Sequence, residues 1–488
     1  MKESDESENE KEDILINKEN IDIIENTDNI DNNNNKDKIE QMETDKLEDN
    51  YSIKEKIFYI LKGISSVIAS IFHIFGYFSI LCLGYTTIYL ISFRRHYNRN
   101  LNFSYTYCFI PLINLSFSLT APIGGYIEDK LGGKKTIILS NSILCFSFMI
   151  MYFSRSIYLD YLLMLLNGFG IATGFNITKK NACSFFMNKK ALICGIINLI
   201  PNFFCLVLIM YNEVFILNYK PEYPSIDKKY YSENVFINYQ KLILFEIGIL
   251  IFTGLSAFLL YFQNDPKETA KFRFNEIIKG NENKNEKNEI EKNKKKITKR
   301  NKIKKGLYNK RTIELFIMVF LFFPTLNLIT NTLRMEEQLY FFFGGLYNIV
   351  GCISSIIFGL FGDCVQFRIL FSILSILIWV TSFFYVKHFE GEFILFLETL
   401  LVSLIYNGFN IIFDSHIMKV YGMDNFIEMW GYIRVSAGIS HLFGIILNSI
   451  LEINSPKYKI VYSIAGVLSV ISFGIGLYET EDKFDYDN

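Results

Sequence analysis

Residues 125–135 read Gly125-Tyr126-Ile127-Glu128-Asp129-Lys130-Leu131-Gly132-Gly133-Lys134-Lys135, a charged, glycine-rich turn set between two apolar runs. A degenerate copy, Gly359-Leu360-Phe361-Gly362-Asp363, precedes a later apolar run, with Arg368 at the offset of Lys134. A second marker recurs in the same order: Asn167-Gly168-Phe169 returns as Asn407-Gly408-Phe409. The two offsets differ by about six residues, the size of one loop insertion. Two markers in matching order describe a chain built as two related halves. Parallel helical repeats around a central site are a transporter architecture.

Outward from these turns the chain is a series of apolar runs, and crossing a bilayer takes about 20 residues. The spans predicted in the first half are roughly 66–93, 103–127, 136–155, 157–178, 190–214 and 241–263. Those in the second are roughly 312–333, 339–362, 368–387, 391–413, 426–452 and 457–478. The stretch 57–93 is too long for one helix and too short for two, so its beginning reads as an interfacial lead-in. Backbone groups cannot stay unpaired in lipid, which makes runs of this length helices. They lack the period-two alternation of a membrane barrel. The expected fold class is an all-α polytopic membrane protein with twelve transmembrane helices in two pseudo-symmetric six-helix bundles. Its parts are an acidic tail (1–55), a first bundle (56–263), a basic linker (264–311), a second bundle (312–479) and a short tail (480–488).

Composition agrees. Half of the 488 residues are hydrophobic, with 47 Phe and 30 Tyr, and 20% are charged. Mean hydropathy is +0.22 even with two polar segments included, which excludes a soluble enzyme, a disordered scaffold and a disulfide-stapled secreted domain. The net charge of −1 points to no nucleic-acid partner, but it conceals an asymmetry. Residues 1–50 carry 18 acids against six lysines, and 264–311 carry 17 Lys/Arg against seven acids. An even number of spans puts both termini on one side, and the basic linker assigns that side to the cytosol. Lys130, Lys134, Lys135, Lys179, Lys180, Lys189 and Lys190 fall in loops on the same side, whereas Arg94, Arg95 and Arg99 fall on the other and disagree. The N-terminus is acidic with no short apolar core, so no cleavable signal peptide is expected. The expected location is the plasma membrane or an endomembrane. The basic linker can attract anionic lipid headgroups or the acidic tail, or serve as a solvated connection.

Eight cysteines include no Cys-x-x-Cys pair, so neither a zinc site nor structural disulfides are expected. No phosphate-cradling Gly-x-x-x-x-Gly-Lys-Ser/Thr, His-Glu-x-x-His or Gly-x-Ser-x-Gly occurs. The expectation is no cofactor, no metal, no enzyme activity and a functional monomer.

Ionisable groups inside spans each need a reason, at about 2.5–3.5 kcal/mol on insertion scales. Arg434 lies about eight residues into the eleventh predicted span, roughly 12 Å deep at 1.5 Å per residue. His441, seven residues on, shares its helical face. A guanidinium is permanently charged and bidentate, suited to a carboxylate; the other reading of Arg434 is a structural ion pair with Glu398. Glu398 and Glu246 are the candidate proton carriers, each alternatively an interfacial residue. Asn327 and Asn331 beside Pro324, and Tyr85 and Tyr89, are turn-spaced polar stripes that line a cavity or hydrogen-bond between helices.

The turn Gly125-x-x-x-Asp129-Lys130-x-Gly132-Gly133-Lys134-Lys135 resembles the signature loop between the second and third helices of the major facilitator superfamily. The copy from Gly359 to Arg368 is similar, with Gln366 in place of a glycine. Gly168-x-Gly170-x-x-x-Gly174, Ser184-Phe185-Phe186-Met187-Asn188-Lys189-Lys190-Ala191, Gly195-Ile196 and Leu83-Gly84-Tyr85 resemble the monocarboxylate and oxalate/formate transporters of that superfamily. The resemblance implies alternating access, with gating by Gly125, Asp129, Gly132, Lys134 and Lys135 and by Gly359, Asp363 and Arg368. It also implies that a basic residue on the eleventh helix holds the substrate carboxylate. The family's companion arginine on the eighth helix is missing, since 339–362 contains no Lys or Arg, which favours cargo with a single carboxylate. The expected activity is proton-coupled carriage of a small organic anion, lactate- or pyruvate-like or pantothenate-like. The alternatives are an amino-acid or other small-solute carrier of the same fold, or a non-transporting membrane sensor.

Overall fold

The computed structural model describes residues 53–82, 87–98, 101, 108–217, 233–264, 306–333, 340–386, 392–450 and 456–479. One compact unit takes in Lys62–Thr269 and Asn283–Asn488; the other, Met1–Leu61 with Ala270–Glu282, is described only over 53–61, as α-helix.

Thirteen α-helices are present among the described residues: α1 (Ile53–Cys82), α2 (Thr87–Arg95), α3 (Phe109–Leu131), α4 (Gly133–Phe153), α5 (Ile157–Phe185), α6 (Lys190–Leu217), α7 (Glu233–Leu260), α8 (Lys310–Leu333), α9 (Tyr340–Cys364), α10 (Phe367–Val386), α11 (Glu392–Val420), α12 (Gly422–Ile450) and α13 (Pro456–Gly476). Eight have stretches long and apolar enough to cross a membrane, and Phe367–Ser382 and Ser463–Gly476 are shorter apolar stretches. Outward faces are greasy: Leu244, Ile251 and Leu255 on α7 and Ile464, Val467 and Ile471 on α13 are all exposed. That inverts the pattern of a water-soluble bundle and suits lipid.

Helix breaks follow local chemistry. Gly132 joins α3 to α4 at φ 78° and ψ 156°, a positive-φ region that is essentially reserved for glycine. Gly422 does the same between α11 and α12 at φ 77°.

The two halves repeat each other's packing. In the first, α3 packs on α5, α5 on α4, and α4 on α7; in the second, α9 packs on α11, α11 on α10, and α10 on α13. Two extensive seams join the halves, α3 with α12 and α6 with α9. This is the two-bundle arrangement that the repeated turn predicts.

Two expectations need correction. The first span is not preceded by an interfacial lead-in: α1 is continuous, and its apolar stretch is Ile57–Ile80, followed by a separate helix α2. The length of the run, 57–93, is divided between one long helix and one short one rather than between a lead-in and a span. The fourth predicted span stops at 178, which left Lys179 and Lys180 in a loop. Instead α5 runs on to Phe185, with Lys179 fully buried.

Arg94, one of the charges that disagreed with the expected orientation, is neutralised inside the protein. Its Nε and Nη2 meet Asp160 at 2.5 and 2.6 Å, and its other donors bond the Met151 and Ser154 carbonyls at the end of α4. A fully buried, paired arginine is no part of the loop-charge bias that sets orientation.

Candidate functional site

The turns at 131–133, 186–190, 364–367 and 420–422 define one end of the bundle, here called the loop face. From there inward the two halves meet in layers.

At the rim, the Asp363 carboxylate accepts hydrogen bonds from the Ala191 N–H at 2.9 Å and the Leu192 N–H at 3.0 Å. A residue of the second half therefore caps the first turn of α6 in the first half, where free N–H groups and the helix dipole favour a carboxylate. Lys190 Nζ donates to the Met418 carbonyl at 3.1 Å, again across the halves. The seams themselves close on glycine. A Cβ on Gly431 would stand 2.7 Å from the Pro122 nitrogen, and one on Gly195 2.5 Å from the Ser355 carbonyl oxygen. A Cβ on Gly125 would meet the Glu428 side chain at 2.8 Å, and one on Gly359 the Gly195 Cα at 3.3 Å.

The next layer is a buried ion pair. Lys179 Nζ of α5 lies 2.6 Å from Asp414 Oδ2 of α11, and the Trp430 indole N–H donates to Asp414 Oδ1 at 2.7 Å. Asp414 precedes the end of α11 by six residues, about 9 Å of helix. Above it Phe117, Phe175 and Trp430 form a triangle of rings with centroids 5.4–6.1 Å apart, drawn from both halves. Lys179 Nζ lies 4.4 Å from the Phe175 centroid.

Arg434 sits beyond this triangle, 3% exposed. Its Nη1 donates to Asn410 Oδ1 at 3.3 Å. Its guanidinium carbon lies 4.6 Å from the Phe323 centroid, 5.6 Å from Trp430 and 5.9 Å from Phe117. Its Nε has no hydrogen-bond partner among the described residues. Asn410 is twelve residues further along α11 than Glu398, about 18 Å, so the alternative Arg434–Glu398 ion pair does not form. His441 shares Phe323 with Arg434, its ring centroid 6.2 Å away.

The other expected residues are dispersed. Tyr85 lies outside the described residues, and Tyr89 is buried in α2. Asn327 and Asn331 belong to α8, of which only the helical backbone is described at those positions. Glu246 is fully buried in α7 near the Ser79 hydroxyl of α1, and neither of its oxygens has a well-formed hydrogen bond among the described residues. Glu398 is fully buried in α11. Asp129, Gly132, Lys134 and Lys135 are exposed on the loop face, Lys134 lying 5.6 Å from the Phe258 ring. Arg368 is exposed and bonds Gln366 at 2.7 Å.

Sequence reasoning missed Lys179, Asp414 and Trp430. It also assigned nothing to His73, which is buried in a chain of hydrogen bonds. Ser140 donates to the Gly170 carbonyl at 2.7 Å, so it accepts from Tyr77 Oη at 2.7 Å, and Tyr77 accepts from His73 Nε2 at 2.7 Å. The i, i+4 spacing of His73 and Tyr77 was the available signal. At the loop face of the second half, Glu479 bonds Arg311 at 2.5 Å and His416 at 3.1 Å. Beside them Tyr421 bonds Thr312 at 2.8 Å, and burial pushes its phenol up to about 12.

This architecture is the major facilitator fold. The outward conformation of the transporter FucP matches with a TM-score of 0.58 at 11% identity, over 86% of this chain and 99% of that one. The proton:xylose symporter XylE bound to 6-bromo-6-deoxy-D-glucose matches at 0.58 and 9%, over 86% and 95%. The human organic anion transporter MFSD10 (TETRAN) matches at 0.53 and 11%, over 87% and 100%. No protein-family model matches the sequence, and no curated protein does.

Proposed function

We propose that this protein is a secondary active transporter of a small organic monoanion, working by alternating access, with Arg434 holding the carboxylate. The observation that carries this reading is the buried charge between the halves. Among the buried groups that meet between the halves, Lys179, Lys190 and Arg434 contribute three positive charges and Asp414 and Glu428 two negative, a net of one positive charge. A buried uncompensated charge is costly, and a single carboxylate balances it. Its polar neighbours there, Asn410 and the Tyr406 hydroxyl, are neutral, so no protein carboxylate occupies the place beside the fork-shaped Arg434 guanidinium that two carboxylate oxygens would take. One structural neighbour is described as an organic anion transporter and another as a proton symporter, which fits both halves of the proposal.

In this reading the loop-face contacts are the gate. Asp363 on α6, the Lys179–Asp414 pair and the glycine seams hold one closed state, and rocking of the bundles breaks them. Gly125, Asp129, Gly132, Lys134 and Lys135 shape the matching turn of the first half. Glu246 and Glu398 are the proposed proton carriers. Glu246 is the better supported, because a fully buried carboxyl without a well-formed hydrogen bond has reason to take up a proton.

Uptake of radiolabelled monocarboxylates into proteoliposomes, with and without an inward proton gradient, tests the proposal. Arg434→Gln is expected to lower kcat/KM for all of them by about 10–100-fold, the loss of a charge-assisted hydrogen bond at about 1.5–3 kcal/mol. Unchanged uptake by that variant overturns the carboxylate clamp. Gradient-driven accumulation that survives both Glu246→Gln and Glu398→Gln removes them as coupling sites.

A further inference from the structure

The two seams between the halves can be aligned residue by residue. Gly431 of α12 packs against Ala121 and Pro122 of α3, and Gly195 of α6 packs against Ser355 of α9. Ser355 is Ala121 plus 234, the spacing of the repeated turn from Gly125 to Gly359. The neighbouring contacts keep this register to within one residue: Glu428 meets Gly125 where Leu192 meets Gly359, and Gly438 meets Ser118 where Asn202 meets Gly351, the neighbour of Cys352 that the spacing of 234 gives. Helices α6 and α12 therefore correspond with an offset of 236 (431 − 195), and the residue equivalent to Arg434 is Asn198 (434 − 236).

Asn198 is built into the interface between the halves. It is 3% exposed. Gly195, Asn198 and Asn202 lie at i, i+3 and i+7, one stripe of α6. Both flanking members of the stripe face the second half: Gly195 touches Ser355, and Asn202 Nδ2 donates to Asn407 Oδ1 at 3.2 Å. Asn202 also bonds the Asn198 main-chain carbonyl at 2.9 Å, not its side chain. The Asn198 side-chain oxygen is buried and has no hydrogen-bond partner among the described residues. Other buried polar atoms also lack a partner, Asn176 Oδ1 and Asn141 Oδ1 among them, and what singles out Asn198 is its place at the symmetry mate of the proposed anion clamp.

We infer that Asn198 is the second pole of the substrate site, accepting a hydrogen bond from a hydroxyl or N–H group of cargo whose carboxylate is held by Arg434. The inference rests on the anion-clamp reading above and narrows its substrate class. The cargo is a small monocarboxylate that also carries a hydrogen-bond donor, as 2-hydroxy acids do, in preference to a plain alkanoate. A site built to pair a substrate hydroxyl discriminates strongly against the analogue lacking it, by up to about 10⁴–10⁵-fold, because the site's own polar group is then left unpaired.

The test is uptake into proteoliposomes of matched pairs: lactate against propionate, and 2-hydroxybutyrate against butyrate. Wild-type protein is expected to prefer the hydroxy acid by about tenfold or more in kcat/KM. Asn198→Leu and Asn198→Ala, one retaining volume and one removing it, are expected to bring the ratio close to one while propionate and butyrate uptake persists. No wild-type preference, or a preference that survives both variants, overturns the inference. Arg434→Gln separates the two readings. Loss of all four acids in that variant, with the ratio unmoved by Asn198 replacement, sinks the donor pole alone, whereas retention of all four sinks the clamp.

Discussion

The α3/α12 seam and the α6/α9 seam are the same contact made twice with different chemistry. Both bring backbones close through glycine, Gly431 against Pro122 in one and Gly195 against Ser355 in the other. Beyond the glycines they diverge. The α6/α9 seam ends in a carboxylate cap, Asp363 on the first turn of α6, and carries the neutral Asn198 deeper in. The α3/α12 seam places the Glu428 side chain on Gly125 and carries Arg434. Close backbone approach is a steric demand that both halves must meet, so it is duplicated. Polar residues at symmetric positions are free to differ, and it is there that a pseudo-symmetric fold acquires a direction for its cargo.

The most damaging change to this arrangement is expected at the charge pair lying between the seams. Lys179→Met leaves Asp414 buried and unpaired, which should cost about 3–5 kcal/mol. Asp414→Asn should cost a similar amount, while the double variant recovers most of it; thermal unfolding in detergent reads all three. Losses that simply add would show that the pair is not coupled. Next come the crossings. Gly431→Ala and Gly195→Ala each force a methyl into backbone, at about 1–3 kcal/mol. Equal losses of uptake and of loop-face protection from a thiol reagent would confirm that the seams are equivalent, and a large difference would break the comparison. Smaller again is the turn itself. Gly132→Ala should cost about 1–2 kcal/mol at φ 78° and ψ 156°, whereas Gln366→Gly in the second copy should have no comparable effect on the melting temperature. The mildest is Asp363→Ala, about 1 kcal/mol for a lost helix cap. It is expected to raise loop-face labelling while uptake persists.

Much of this was legible in the sequence. Eleven of the twelve predicted spans have a matching helix, and Arg434 lies within the one predicted to hold it, because a charge flanked by apolar turns announces itself. The layer between Arg434 and the loop face was not legible. Hydropathy ends a span at its first charge, so the fourth span was stopped at 178 and the tenth at 413, just short of Lys179 and Asp414. Each residue alone looks like the start of a loop, and only their meeting across the halves lets both helices continue. The first span was misread for another reason: the run 57–93 is too long for one helix and too short for two full spans, and it holds one long helix and one short one. Asn198 carried the same signal as Asn327 and Asn331, a turn-spaced partner (Asn202) beside a proline (Pro201), but the sequence does not show that it stands opposite Arg434 in the other half.

The Lys179–Asp414 pair also bears on how the protein is made. Its members are 235 residues apart. At about 5–20 residues per second, the ribosome needs roughly 12–47 s to travel from one to the other. During that interval the newly inserted first half holds a lysine whose counter-charge does not yet exist, close enough to the membrane surface for its stem to extend toward water. The second half thus completes the first as well as adding to it. A gene split within the basic linker should yield two fragments that persist in the membrane only when produced together.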